Sequence, residues 1–370
     1  IYFFYMIKKI NLIFFISNFS FGGAGNSIVR LCSQLSKKRY SISIICIGKS
    51  DYKKILQKHD IGVIEINKSK LLYSLFDLVR IINKLVKKDV KNILVSNIHY
   101  SNVIIILIRY FIKPLKIILV ERTPIEELNI YFNLKDFLKK KILKFLVKYT
   151  YPFADLIICN SFGIKKGLYK LINKKIYVIY PPSITKVLKE KNFKTNNIKF
   201  FSFSRLSNEK NILLILKAIN YLKNQNYNYF LNIYGNGNEE SNLKLYVKQN
   251  NLKKNIKFKG FRKNINQLKD QIYICASLFE GCCNATIEAL NNSKIILSSD
   301  CPGGNREIIL NGRGGELFLN NNFKSLARSM KLIMNNLPKQ IKKAKMARKN
   351  LYRFKLQNNK LSYENIFHNI

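Results

Sequence analysis

The sequence has no tryptophan, three histidines, and only 21 acidic residues against 65 basic ones. It also lacks a long apolar run free of charge. Lys8 and Lys9 interrupt the first candidate, and Arg109, Lys113, Pro114 and Lys116 break the run from Val103 to Val120. Neither a signal peptide nor a membrane-spanning helix is therefore expected. The seven cysteines (Cys32, Cys46, Cys159, Cys275, Cys282, Cys283 and Cys301) include no CxxC pair and no His/Cys metal spacing. An odd set of this kind reads as reduced thiols in a cytoplasmic protein. Residues 1–5 precede Met6, from which the chain reads as an ordinary start and first strand, so those five residues are expected to be an upstream translation artefact.

The shortage of Asp and Glu leaves a formal charge of +44. One reading is a polyanionic partner, either nucleic acid or an anionic membrane surface. The other is compositional drift toward residues with AT-rich codons, which include Lys, Asn, Ile, Phe and Tyr. The lysines are spread along the whole chain rather than gathered in a block, which favours drift. Either way, the charge attracts the protein to anionic lipid in a salt-dependent manner.

A chain of 370 residues with 47% hydrophobic content exceeds one ordinary core and suits two folded domains. In the first half, β-rich runs at 11–17, 42–47, 92–96, 116–120, 156–159 and 176–179 alternate with helical patterns such as 26–37. This alternation predicts a parallel, doubly wound α/β sheet. Pro181-Pro182 breaks the pattern, and the polar stretch that follows reads as a linker. A second series then begins, with strands at 200–203, 230–234, 256–259, 272–277 and 295–299. Its helices fall at 211–222, 239–249, 285–291 and 323–335. The expected domains are 1–183 and 198–338, with a linker at 184–197 and a helical tail at 339–370 that packs back toward the first domain. Ligands of open α/β sheets bind beyond the carboxyl ends of the strands, so a cleft between two such domains is the default site.

Three features carry chemistry. Ser204 to Lys210 (SRLSNEK) follows a strand and opens toward a helix, a place where backbone N–H groups suit an anion. Arg205 and Lys210 add a guanidinium fork and a point charge, which fit a diphosphate; a solvated basic turn is the plainer alternative. Tyr234-Gly235-Asn236-Gly237 ends a strand with glycines that permit a tight turn, a common feature taken alone. The sharpest signal is Phe279 to Glu288 (FEGCCNATIE). Glu280 lies in the loop and Glu288 eight positions on, in the helix, with Asn284 as the expected N-cap. Two carboxylates so spaced can accept hydrogen bonds from two separate diols. The plainer alternative is a capped helix with one incidental surface carboxylate.

Together with Ser299 to Ile308 (SDCPGGNREI), Gly22-Gly23-Ala24, Val120-Glu121-Arg122-Thr123 and Ala154 to Ser161 (ADLIICNS), these motifs resemble glycosyltransferase family 4. The resemblance runs from about residue 10 to 335 and is most specific in the second half. It implies the GT-B fold, two Rossmann-like domains facing a cleft, and retaining transfer of a hexose or N-acetylhexosamine from a nucleotide-diphosphate sugar. The acceptor would be a glycan or a polyprenyl-linked glycan of surface-polysaccharide or lipopolysaccharide assembly. Arg205 and Lys210 would bind the diphosphate and stabilise the leaving charge, Glu280 the hexose hydroxyls, and Glu288 the ribose hydroxyls. Gly22, Gly23, Gly235, Gly281, Cys282, Cys283 and Asn284 would approach the donor. Family members often place a histidine on the sugar, and His99, after a strand in Ser96-Asn97-Ile98-His99-Tyr100, is the candidate here; His59 and His368 have no such placement. No metal cofactor is implied, and no Asp-x-Asp motif is present. A UDP-linked donor is preferred because the nearest-looking relatives use one. Cys282-Cys283 departs from the proline or bulky apolar residue common in that loop, which leaves the sugar open.

Leu134 to Lys148 (LKDFLKKKILKFLVK) forms a basic amphipathic helix with an apolar stripe of Leu134, Phe137, Leu138, Ile142, Phe145 and Leu146. The stripe is expected to pack on the sheet, leaving a lysine face for peripheral attachment to the inner face of a cell membrane. Rival functions are a sugar-nucleotide epimerase of the same fold, an inactive relative, and a basic nucleic-acid-binding protein. The chain carries no helix-turn-helix, zinc or RNP-like motif to support the last, so no nucleic-acid partner is expected.

Overall fold

The computed structural model describes residues 9–68, 71–193 and 198–370. Residues 1–5, and residues 194–197 of the expected linker, lie outside the described residues. The chain divides into two compact units, one formed by 1–182 with 356–370, the other by 183–355.

The first unit is built on β1 (Ile10–Ile16), α1 (Gly23–Cys32), β2 (Tyr40–Cys46), α2 (Lys53–Gln57), β3 (Gly62–Glu65), α3 (Leu75–Leu85), β4 (Asn92–Asn97), α4 (His99–Leu107), β5 (Lys116–Glu121), α5 (Leu134–Thr150), β6 (Leu156–Cys159), α6 (Phe162–Tyr169) and β7 (Ile176–Val178). Its seven strands are parallel in the order β3-β2-β1-β4-β5-β6-β7. Every residue of β1 is buried because helices cover both faces, and its side chains alternate between them. Ile13 and Phe15 join Leu94, Leu119 and Ile157 in one core, while Leu12, Phe14 and Ile16 join Val95, Ile118 and Ile158 in the other.

The second unit comprises β8 (Phe200–Phe203), α7 (Ile212–Lys223), β9 (Leu231–Tyr234), α8 (Glu240–Gln249), β10 (Ile256–Phe258), β11 (Ile272–Cys275), α9 (Asn284–Asn291), β12 (Ile295–Asp300), α10 (Asn305–Ile308), β13 (Glu316–Leu319), α11 (Phe323–Asn335) and α12 (Leu337–Arg348). Its parallel strands run β10-β9-β8-β11-β12-β13. The closing helix, α13 (Leu356–Asn369), returns to the first unit, where Tyr363 and Phe367 are buried in the second of its cores. Tyr40 meets Phe367 edge-on at 6.1 Å and its hydroxyl lies 3.0 Å from His368 Nε2.

The structure differs from the sequence reading in five places in this fold, the last of them α5. The expected linker is pinned where described. Ile184 bridges to Lys355, Leu188 N donates to Asn291 Oδ1 at 3.0 Å, and Lys191 N donates to Ser293 Oγ at 3.0 Å. The expected tail is divided, since α12 stays with the second unit. There the Arg348 guanidinium donates to the carbonyls of Leu290 (2.7 Å) and Asn291 (2.6 Å), satisfying the open end of α9. The edge strands β3 and β13, neither of them fully buried, escape the sequence reading, whereas the three-residue edges β7 and β10 fall within runs it picked out. Helix α1 begins at Gly23 rather than Asn26, and Gly25 in its first turn lies under Tyr52 and the Ser20 carbonyl.

The largest difference concerns α5. Lys140, Leu143, Val147 and Thr150 face inward, whereas Leu134, Leu138, Ile142, Phe145 and Tyr149 are exposed. Of the expected stripe, Leu134, Leu138, Ile142 and Phe145 thus face outward, Phe137 is half-buried and only Leu146 packs against the core. A buried lysine is tolerated because its ammonium reaches the Ile130 carbonyl at 2.7 Å and Asp136 at 3.1 Å. That satisfied lysine lets the helix turn its wider apolar stripe outward.

Candidate active site

In the second unit the strand order reverses between β8 and β11, which lie side by side while their chain neighbours run to opposite edges. A doubly wound sheet opens a crevice at the carboxyl ends of such a pair. The loop after β8 carries Arg205 to Lys210, and the loop after β11 carries Ser277 to Cys283. They are joined by Leu278 N donating to the Glu209 carbonyl at 2.9 Å. Lys210 Nζ stands 2.6 Å from Glu280 Oε1, and Ser277 Oγ donates to the same oxygen at 2.6 Å. The sequence motifs thus converge on one charged pair. Both side chains are largely buried, at 19% and 11% exposure. Burial alone pushes the Lys210 ammonium down. The facing Glu280 carboxylate outweighs that effect, so Lys210 is held above its ordinary value and stays charged.

Lys210 closes a short 3₁₀ turn, Asn208–Lys210, rather than lying in the following helix. Asn211 takes a left-handed conformation (φ 51°) that starts α7. Asparagine tolerates this region, and the kink separates Lys210 from the helix axis. Arg205 is 70% exposed and pairs with Glu209 at 3.1 Å. An exposed pair of this kind is worth at most about 1 kcal/mol, so its guanidinium is free to move onto an anion.

Two glycines lock this edge of the sheet. Gly303 (φ +111°), after β12, lies against the Glu280 carbonyl, where an added Cβ would come within 1.5 Å of the oxygen. Gly304 N donates to that carbonyl at 3.2 Å and Glu280 N donates to the Pro302 carbonyl at 3.1 Å. Gly235 (φ +140°) lies against Ser204, its Cβ position 1.8 Å from that carbonyl, and its N–H is donated to Gly260. Gly235 thus supports the Arg205 turn through its backbone.

Gly281, Cys282 and Cys283 are buried at the start of α9, whose N-cap is Cys283 and not Asn284. Asn284 is instead the first helical residue, its Oδ1 accepting from Ser183 Oγ at 2.6 Å. The amide is engaged by that hydroxyl rather than folded back onto its own helix. Glu288 is half-buried on the second turn of α9. Ser277, Glu209 and Gly303 escaped the sequence reading as site residues. Gly303 lay within the quoted Ser299 to Ile308 motif without being singled out, and nothing local marks the serine.

In the first unit the order reverses between β1 and β4. Gly22 precedes α1, and Gly23 and His99 are the first residues of the helices that follow these two strands; Ser17 N joins the two segments by donating to Ser101 Oγ at 3.0 Å. The Gly22 N–H donates to the Tyr52 hydroxyl at 3.2 Å. His99 is buried, with Nδ1 2.8 Å from Glu121 Oε2. Its imidazole faces a carboxylate rather than an open surface. Glu121 also accepts from the Tyr151 hydroxyl and from Asn102 Nδ2. Burial pushes the His99 imidazole down, but the Glu121 charge and hydrogen bond reverse this and raise it. Nearby Glu127 is pushed up by its own burial.

A raised histidine contributes stability that is complete below its unfolded value of about 6.5 and disappears as pH climbs through the folded value. With three histidines in the chain, proton NMR of the imidazoles is a direct measurement. One resonance is expected to titrate above the ordinary range and to vanish in His99→Asn. Three ordinary midpoints would refute the charged pair.

Two parallel, doubly wound units in one chain are the makeup of a GT-B architecture, and the second of them carries a paired cation and carboxylate at its switch point. Residues 183–353 match the model for glycosyl transferases group 1, and residues 21–183 match the model for glycosyltransferase family 4. The chain belongs to this family of glycosyltransferases. It is 26% identical over 336 residues, covering 87% of this chain and 88% of the relative, to GalNAc-alpha-(1->4)-GalNAc-alpha-(1->3)-diNAcBac-PP-undecaprenol alpha-1,4-N-acetyl-D-galactosaminyltransferase of Campylobacter jejuni. A second C. jejuni protein, N-acetylgalactosamine-N,N'-diacetylbacillosaminyl-diphospho-undecaprenol 4-alpha-N-acetylgalactosaminyltransferase, is 29% identical, over 60% of this chain and 62% of the relative. Among solved structures, HepE of Anabaena in complex with UDP-glucose superposes with a TM-score of 0.78 at 17% identity, covering 97% of this chain and 100% of that one. Sucrose-phosphate synthase of Thermosynechococcus elongatus reaches 0.80 at 13% identity, over 97% and 98%. At these identities the structural likeness defines the fold alone.

Proposed function

We propose that the protein transfers a hexose or N-acetylhexosamine, with retention at the anomeric carbon, from a UDP-linked donor to a glycan or polyprenyl-linked glycan in polysaccharide assembly. The observation that carries this reading is the Lys210–Glu280 pair at the β8/β11 reversal, with Arg205 on the adjoining turn. An ammonium has three donors, so Lys210 can hold Glu280 and a phosphate oxygen together. Arg205 releases Glu209 at small cost and adds a two-pronged contact to the diphosphate. These fixed cations stabilise the charge that grows on the leaving nucleotide, without a metal ion. Glu280 accepts hydrogen bonds from the donor sugar, and Glu288 from the ribose. The two C. jejuni relatives, both named for undecaprenyl-linked acceptors, support the choice of acceptor class.

The test is a panel of nucleotide sugars incubated with a polyprenyl-diphosphate-linked oligosaccharide. The expected result is acceptor-dependent release of UDP and a product with the donor's anomeric configuration by NMR. An inverted linkage, free sugar without acceptor product, or no turnover across the panel defeats the proposal.

The same reading includes an anionic membrane surface as a peripheral partner. No helix among the described residues is long and apolar enough to cross a membrane. The outward stripe of α5 is flanked by exposed Lys135, Lys139, Lys141 and Lys148, a pairing of apolar and basic groups that suits a bilayer with acidic headgroups. Each such lysine contributes about 1 kcal/mol near an anionic surface at low salt. Co-sedimentation with phosphatidylglycerol vesicles should be strong at low salt and fall at high salt. The double change Ile142→Ser with Phe145→Ser should lower it at least fivefold. Recovery in the supernatant at low salt removes this partner.

A further inference from the structure

The donor loop holds an unusual concentration of thiols. Cys275 ends β11, Cys283 caps α9 and Cys301 follows β12, all three buried. Cys275 Sγ, Cys283 Sγ and a carboxylate oxygen of Glu280 all lie within 4.8 Å of one another. Two thiolates and a carboxylate form a three-ligand set for a soft or borderline divalent cation, with a fourth position left for water. Tetrahedral geometry with bonds of about 2.0–2.3 Å places such ligand atoms less than about 4 Å apart, so small side-chain rotations complete the set. The surroundings suit thiolate ligands. Asn305 Nδ2 approaches Cys275 Sγ at 3.6 Å and Cys301 Sγ at 3.4 Å, and supplies N–H donors to sulfur.

The occupant of Glu280 at present is the Lys210 ammonium, 2.6 Å away. A cation on the thiols repels that ammonium and competes for the same carboxylate. We infer that Cys275, Cys283 and Glu280 form a site for Zn²⁺ or Cd²⁺ whose filling separates Glu280 from Lys210 and closes the donor site. Binding replaces two S–H bonds by two metal–sulfur bonds. The two protons leave to solvent, Lys210 keeps its own, and nothing is oxidised. The effect on catalysis rests on the reading of Glu280 as a donor-sugar ligand, whereas the metal site itself does not.

The probe is cadmium, whose thiolate complexes absorb in the near ultraviolet. One equivalent of Cd²⁺ added to reduced, metal-stripped protein should saturate a thiolate-to-cadmium band. Cys275→Ser should weaken binding at least tenfold, with an unchanged circular dichroism spectrum, while Cys46→Ser, in the other unit, retains the band. Cadmium should abolish sugar transfer at the same stoichiometry, a chelator should restore it, and C275S should transfer sugar at the unaltered rate in either condition. Absence of the band at one equivalent, its persistence in C275S, or full transfer by the saturated protein each overturns the inference. A wild-type protein that turns over no nucleotide sugar defeats the proposed function instead, and the cadmium band still decides the site.

Discussion

Lys210→Ala is expected to lower the rate of sugar transfer about 10²–10³-fold, which corresponds to about 3–4 kcal/mol of transition-state stabilisation. The cation sits where the diphosphate of a donor acquires charge, and its value peaks as the nucleotide departs. The fall should therefore appear in kcat as well as in kcat/KM. Lys210→Arg should rescue little, because a planar fork cannot reproduce a compact ammonium against Glu280 and Ser277. Glu280→Gln should also be damaging, since it replaces an ionic partner of Lys210 and weakens the sugar contacts. The double change Lys210→Ala with Glu280→Ala should cost less than the sum of the singles, because each single leaves a largely buried charge without its partner. Steady-state kinetics of the four proteins, with a melting curve for each, checks these statements. A Lys210→Ala enzyme with near-normal kcat would remove the pair from the reaction.

Gly303→Ala is expected to be the most disruptive single methyl group in the second unit. A side chain at φ +111° is strained by about 1–3 kcal/mol before any contact is counted. The added Cβ would also meet the Glu280 carbonyl oxygen at 1.5 Å, and that oxygen belongs to the backbone and cannot rotate away as a side chain could. Either the turn after β12 or the loop bearing Glu280 must move. The expected outcome is a melting temperature lowered by several degrees and transfer reduced by more than 10²-fold, since positioning errors of an ångström have that effect. A stable variant with normal turnover would show that the loop does not need this register.

Most of the doubly wound pattern could be read from sequence because fully buried parallel strands write continuous apolar runs. β6 and β8 fall on the expected residues, and neighbouring elements shift by a few positions at their ends. The four-residue edges β3 and β13 could not be read that way. Lys210 and Glu280 stood out as charges in loops after strands, and their meeting follows from the adjacency of β8 and β11, whereas Arg205 on the same turn pairs with Glu209 instead. Asn284 misled because an asparagine before a helix ordinarily caps it, whereas here a distant serine takes its side chain. His99 and Glu121 are 22 positions apart and meet only through the pairing of β4 with β5. The inward face of α5 includes Lys140, held by a carbonyl and a carboxylate, a tertiary fact with no periodic signature.

The route of the chain through α13 bears on how the molecule is made. The second unit is one uninterrupted stretch, 183–355, and can close its core as soon as that stretch has left the ribosome. The first unit, though begun earlier, completes the core built by β1, β2 and α1 only when Tyr363 and Phe367 of α13 arrive. The last piece of the unit begun first is thus supplied after the whole of the second unit has been made.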